Sequence, residues 1–393
     1  MGAFYITFRA LAALVILASS AAADEFNASD TKLGLPSVSL PRVIKFGLFV
    51  KNFYGIDFKQ GKFSADLVTT LEWSDPSAAA LVPAGSDSLA LSTEKAASLM
   101  WLPGIAVTNR DKKGYEVISS TITVHPSGTV SKVERALAVM LTGLNLAAFP
   151  FDTQMLNIIV ASTAYMSDEL ILVPMHDDAL TNVHDDIFGG SDFTYRSCSS
   201  YAWVEADASL SKSRGVLAIE VVRSTAVYVQ SLFIPAAVVL GISWSVFFFP
   251  FHPSFAMPRV ATSMISVLNV LALQTKTQDS LPKRDGVAWI DVFDEVCLIM
   301  IFTLLIFNVV LQYLAQWHKT GPTLVLLYRM DHELKLVIPC LSMLCFAVLF
   351  SRTDGAQVEK TAELVHIIIV LGVVGYSALM LLRLCSVGKE AEH

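Results

Sequence analysis

The chain has 393 residues, 54% of them hydrophobic, with a mean hydropathy of +0.56. That is too apolar for an average soluble protein, so membrane spans must hold the excess. A formal net charge of −7 and a pI near 5.6 leave no basic footprint and exclude a nucleic-acid partner.

Residues 1–23 carry one basic residue, Arg9, then an apolar run and a small-residue stretch ending at Ala23. This pattern predicts a secretory signal peptide, which would put the following residues outside the cell or in the periplasm. Of the five cysteines only Cys198 falls in that external part, so no intrachain disulfide is expected there.

Over residues 24–222, short alternating runs rich in Val, Ile, Phe, Thr and Tyr recur between turn signals, which predicts an all-β extracellular sandwich. Strands are expected at 43–50, 62–73, 115–124, 130–140, 155–162, 194–203 and 215–223. Trp73-Ser74-Asp75-Pro76, Asp111-Lys112-Lys113-Gly114 and His125-Pro126-Ser127-Gly128 carry residues that stop strands. Within this region Phe149, Pro150 and Phe151 form a rigid apolar knuckle, because proline fixes the backbone between two rings, and Asp152 gives it a charge. Residues 175–192 collect Asp177, Asp178, Asp185, Asp186 and Asp192 with His176 and His184. They read as a solvated acidic loop, with a divalent-cation or pH-titrating element as the alternative; the spacing is not that of an EF-hand. No metal ligand and no cofactor is assigned.

At residue 223 the composition changes. Apolar segments at 227–249, 260–273, 290–314, 334–350 and 364–384 are candidate helical spans. Four would form a core transmembrane domain over 223–350, with a fifth in an extension over 351–393. Five crossings put the C-terminus in the cytoplasm, with Arg259, Lys319, Arg329, Lys335, Arg383 and Lys389 inside, against Lys283, Arg284, Arg352 and Lys360 outside. Segment 334–350 is short and holds Pro339, so an interfacial helix there, leaving four crossings, is the alternative.

Residues 258–282 have the most informative spacing. Ala261, Ile265, Leu268, Ala272, Thr275 and Asp279 recur at intervals of four and three, which puts them on one helix face, apolar in the middle and charged at the outer end. Arg259 opens the segment, and Lys276, Asp279 and the turn residue Pro282 close it. Such a face suits either helix packing through small residues or the lining of a pore.

Phe149-Pro150-Phe151-Asp152 followed by Gln154 closely resembles the signature loop of the pentameric ligand-gated ion channels, or Cys-loop receptors. Further matches follow in the family's order: residues 46–57 (FGLFVKNFYGID), Trp73-Ser74-Asp75-Pro76, Trp101-Leu102-Pro103, Asn109, residues 126–130 (PSGTV), Arg223 before the first span, Pro235 within it, and Leu281-Pro282 after the second. Thr142 and Leu156 hold the positions of the loop's two cysteines, similar to prokaryotic members that lack the disulfide. The resemblance implies a homopentamer in which each subunit lends its second span to a central pore, the face above pointing inward. Leu268 falls at the family's gate leucine, with Ile265 below and Ala272 above, a constriction that closes by dewetting. The resemblance also implies coupling from Phe149, Pro150, Phe151 and Asp152 to residues 280–288, including Pro282, to Arg223, and to the strand turn near Asp57.

Agonists in the family bind between subunits in a box of aromatics, which implies Trp73 on one face and Trp101, Tyr165, Tyr201 and Trp203 on the other. The usual key aromatic of the second binding loop is replaced by Thr163, so a classical amine is not expected. The implied partners are further copies of the chain, the lipid bilayer, a small-molecule agonist or proton, and permeant inorganic ions. Met257-Pro258 before Arg259 leaves no inner carboxylate ring and resembles anion channels, whereas Asp279 at the outer mouth favours cations; the balance falls slightly to anions. No phosphate-cradling loop, His-Glu-x-x-His or nucleophile elbow is present in the sequence, so no enzyme is expected. The rival reading is a membrane-anchored β-sandwich sensor without a conducting pore.

Overall fold

Period-two alternation in the first half of the chain resolves into two facing sheets. The computed structural model describes residues 39–184, 188, 192–207, 209–282, 286–318 and 321–390; the expected signal peptide lies outside them. One sheet runs in the order β3 (Leu89–Ser92), β5 (Arg110–Val124), β6 (Thr129–Leu141), β2 (Lys62–Ser74), β1 (Arg42–Asp57) and β8 (Leu170–Pro174), with β9 (Asn182–Val183) also on β1. The other runs β10 (Phe193–Asp207), β11 (Leu210–Arg223), β7 (Thr153–Ser162) and β4 (Ile105–Val107). Pairing is antiparallel except where β8 and β9 join β1. Every strand expected from the alternation is present. The short strands β3, β4, β8 and β9 lack a run long enough to announce themselves.

Apolar positions of both sheets meet in one core built on Phe46, Leu67, Ile122, Leu156, Leu217 and Ile219. β11 meets the other sheet at Gly215, where an added Cβ would lie 2.6 Å from the Phe46 ring. Only glycine fits that approach.

Past Arg223 the chain is helical: α1 (Ala226–Phe248), α2 (Ala256–Ser280), α3 (Trp289–Trp317), α4 (Pro322–Phe350) and α5 (Val358–Glu390). These five helices are long and apolar enough to cross a membrane. The helix at the expected short segment 334–350 is in fact 29 residues long and continuous through Pro339. Its first turns were hidden from a hydropathy reading by Asp331 and Glu333. Both charges are paired across helices, Asp331 with Arg259 on α2 and Glu333 with Arg383 on α5, which removes the objection to burying them.

Candidate functional site

The loop between β6 and β7 reaches the membrane helices through one charged contact and one aromatic contact. Arg223, the last residue of β11, donates from Nε to Asp152 Oδ1 at 2.6 Å and from Nη2 to Asp152 Oδ2 at 2.9 Å, and both side chains are buried. Its Nη1 donates to Tyr228 Oη on α1 at 3.1 Å. The guanidinium carbon lies 4.3 Å from the ring centre of Phe58, 4.7 Å from those of Phe149 and Phe193, and 5.6 Å from that of Tyr228. A buried charge is stable only when paired and hydrogen-bonded, and ring faces add attraction once water is gone. This node ties the turn after β1, the loop, and the start of β10 to the entry of α1.

Phe151 makes the second contact. Its ring lies 4.9 Å from Trp289 at the start of α3, 6.2 Å from Phe233 on α1 and 6.3 Å from Phe350 at the end of α4. The Trp289 backbone N–H donates to Ala147 O in the loop at 2.8 Å, and its indole N–H donates to Leu349 O at 3.1 Å. The loop therefore touches the outer ends of three helices. Its base is closed by hydrogen bonds, Thr142 Oγ1 to Met155 O at 3.3 Å and Gln154 Nε2 to Asn145 O at 2.7 Å, while all five cysteines are free. Phe149–Pro150 is a cis peptide.

Sequence reasoning found the loop and Arg223 but missed the aromatic receivers Tyr228, Phe233, Trp289 and Phe350. Their signal was the clustering of large rings at the outer ends of α1, α3 and α4. The linker after α2 faces the loop across a cavity of about 550 Å³, lined among others by Phe58, Gly61, Leu146, Pro282 and Ala288. Linker residues 283–285 lie outside the described residues.

On α2 the expected face is open from end to end. Ala261, Ile265, Leu268, Ala272, Thr275 and Asp279 are all exposed, with Leu268 at 64%, whereas Ser263, Ser266, Val270 and Thr277 face the bundle. Arg259 also turns inward: its side chain is 0% exposed, its Nη2 donates to Asp331 on α4, and its guanidinium sits 5.5 Å from Phe247 and 5.4 Å from Phe251. The arginine that shaped the expectation of ion charge thus projects away from the exposed face. Lys276 and Asp279 are the charged residues that α2 exposes.

The candidate box aromatics divide. Trp73 and Trp101 are buried, with ring centres 6.4 Å apart, and the Trp101 indole donates to Tyr165 Oη at 2.7 Å. These rings fill the sandwich core. Tyr201 and Trp203, 45% and 43% exposed, stand on β10, near an ion pair between Arg214 and Glu205. In that sandwich Glu134 accepts from Tyr115 Oη at 2.7 Å and pairs with Lys132 at 2.8 Å. Burial works against its carboxylate, but the Lys132 and Tyr115 hydrogen bonds outweigh it and hold the carboxyl below its ordinary value. Burial and the neighbouring Glu134 push the Tyr115 phenol up. Within the acidic loop, Asp185 and Asp186 lie outside the described residues.

Residues 32–219 match the family model described as the neurotransmitter-gated ion-channel ligand binding domain. The chain is similar to a gamma-aminobutyric acid receptor subunit beta from Caenorhabditis elegans, 24% identical over 59% of this chain and 42% of that protein. It is also similar to a glutamate-gated chloride channel from Drosophila melanogaster, 22% identical over 75% of this chain and 64% of the relative. A third relative is a proton-gated ion channel from Gloeobacter violaceus, 25% identical over 63% of this chain and 67% of the relative. The match thus spans less than half the length of the first of these relatives.

Proposed function

Residues 32–219 are a ligand-binding domain of the pentameric ligand-gated ion-channel family, and from that premise we propose that the chain is one subunit of a homopentameric ligand-gated channel. The family consists of channels and not of enzymes, and the N-terminal domain lies outside a membrane that several helices cross. The observation that carries the proposal is the division of α2, with its expected lining positions all exposed and its opposite face buried. In a ring of subunits the open stripe running from Ala261 to Asp279 would line the axis. Leu268 would be the narrowest apolar ring.

Gating is then a population shift. A small-molecule agonist or proton favours one arrangement of the sandwich, and the Asp152–Arg223 node and the Phe151 contact pass that preference to α1, α3 and α4. Tyr201 and Trp203 are the aromatic surface open to an agonist. For ion charge, the lack of a carboxylate at the inner end of α2 tips the balance slightly to anions against Asp279 at the outer mouth, while Arg259, paired with Asp331, adds no charge to the lining. Domain boundaries are placed near 222 and 350, with five crossings and a cytoplasmic C-terminus.

Replacing Leu268 with Ser should wet the ring and produce a standing current; none in the variant, together with none from the unmodified protein over an agonist and pH screen, would leave the sensor reading. Thiol reagents should reach cysteines placed at Ala261, Ile265, Leu268, Ala272 and Thr275, and uniform protection would end the lining assignment. Reversal potentials in salt gradients test ion charge. A reporter fused after His393 should read as cytoplasmic, and an external signal would rule out five crossings.

A further inference from the structure

The fifth helix is bound along its length to the rest of the bundle. Val358, Thr361, Val365 and Ile369, spaced by three and four, form one buried stripe. Lower down, a Cβ on Gly372 would lie 2.8 Å from Leu341 Cδ1 on α4, and Arg383 donates to Glu333 at 2.7 and 3.0 Å. The outer end is more telling. The turn from α4 to α5 is held by Asp354, which accepts from Ala356 N at 3.1 Å, and it sets Gly355 against the β6–β7 loop. An added Cβ there would lie 2.9 Å from Ala147 Cβ and 3.0 Å from Ala148 N.

Ala147 is also the residue whose carbonyl receives the Trp289 N–H, and Ala148 precedes Phe149. The loop backbone is therefore gripped on one side by α3 and touched on another by the turn into α5. Val358, Val365 and Ile369 share one apolar cluster with Leu146 and Phe149. A helix serving only as an anchor would gain nothing from backbone-close contact with this loop. Any displacement of the loop must move Gly355 or break the contact.

We propose that the turn into α5 is part of the gating machinery, with Gly355 positioning the coupling loop through Ala147 and Ala148. The inference rests on the channel reading above. Its test uses the full chain carrying Leu268→Ser, so that standing current, normalised to protein at the cell surface, reports the closed–open balance without an agonist. Gly355→Val should change that current by about five-fold or more, the scale of a coupling between sites. Gly375→Val, placed where no neighbouring atom lies within 4 Å of an added Cβ, should leave it unchanged.

If valine prevents folding, Gly355→Ala is the milder probe, and adding Ala147→Gly removes the opposing methyl, the closest of its contacts, and should restore part of the current. Unchanged current in the Gly355 variants overturns the role of this turn. An alanine effect that Ala147→Gly does not relieve even in part overturns the Ala147 methyl contact as its cause. If Leu268→Ser alone passes no current while the protein reaches the surface, the channel reading fails and takes this inference with it.

Discussion

Arg223 at the outer end of the membrane region and Arg259 at the inner end of α2 are both buried and both paired with an aspartate, yet their surroundings differ. Arg223 meets Asp152 through two parallel hydrogen bonds, gives a third to Tyr228, and is enclosed by four aromatic rings. Arg259 meets Asp331 through Nη2, while its Nε and Nη1 have no hydrogen-bond partner among the described residues. Donors left open in a bundle can donate to water or to a rearranged partner. The outer pair is a closed joint suited to transmitting a displacement, and the inner pair is a looser clamp on the foot of α2.

The largest effect should come from opening the outer joint. Asp152→Asn keeps the shape but leaves Arg223 buried beside a neutral amide, at a cost of about 3–5 kcal/mol. A lowered melting temperature in detergent, together with lost gating, would report it. Asp331→Asn also strips a buried arginine of its counter-charge, but the amide Oδ1 keeps the one hydrogen bond whereas Asp152→Asn loses the bond at Oδ2, so it should cost less by about 1–3 kcal/mol. Equal losses of stability in the two variants would erase the contrast between joint and clamp.

The smallest effect belongs to the sandwich and is read by pH. Glu134 is held below its ordinary value of 4.5, so its contribution is complete above that value and is lost as pH falls through the lower folded one. Thermal stability measured from pH 6 downward should therefore fall in the acid range, and Glu134→Gln should flatten that part of the curve. An unchanged curve would assign acid sensitivity to other carboxylates.

Much of the architecture was legible from local patterns. Alternation marked the long strands, and the four-and-three spacing from Ala261 to Asp279 identified the open face of α2, because periodicity alone says which residues share a face. Proline between two phenylalanines marked the β6–β7 loop. Periodicity does not say what each face meets. Arg259 reads as a charge at the pore entrance until Asp331, distant in sequence, draws it into the bundle. Trp73 and Trp101 read as ligand-facing rings until the opposing sheet closes over them. Gly355 is an ordinary turn residue in sequence, and only the approach of the β6–β7 loop makes its missing side chain matter. What the sequence determined on its own is each element and its faces, since these depend on neighbours within a few residues. Pairing of buried charges, the division of aromatics between core and surface, and the reach of the fifth helix to the coupling loop depend on contacts between distant segments, and only the tertiary structure decided them.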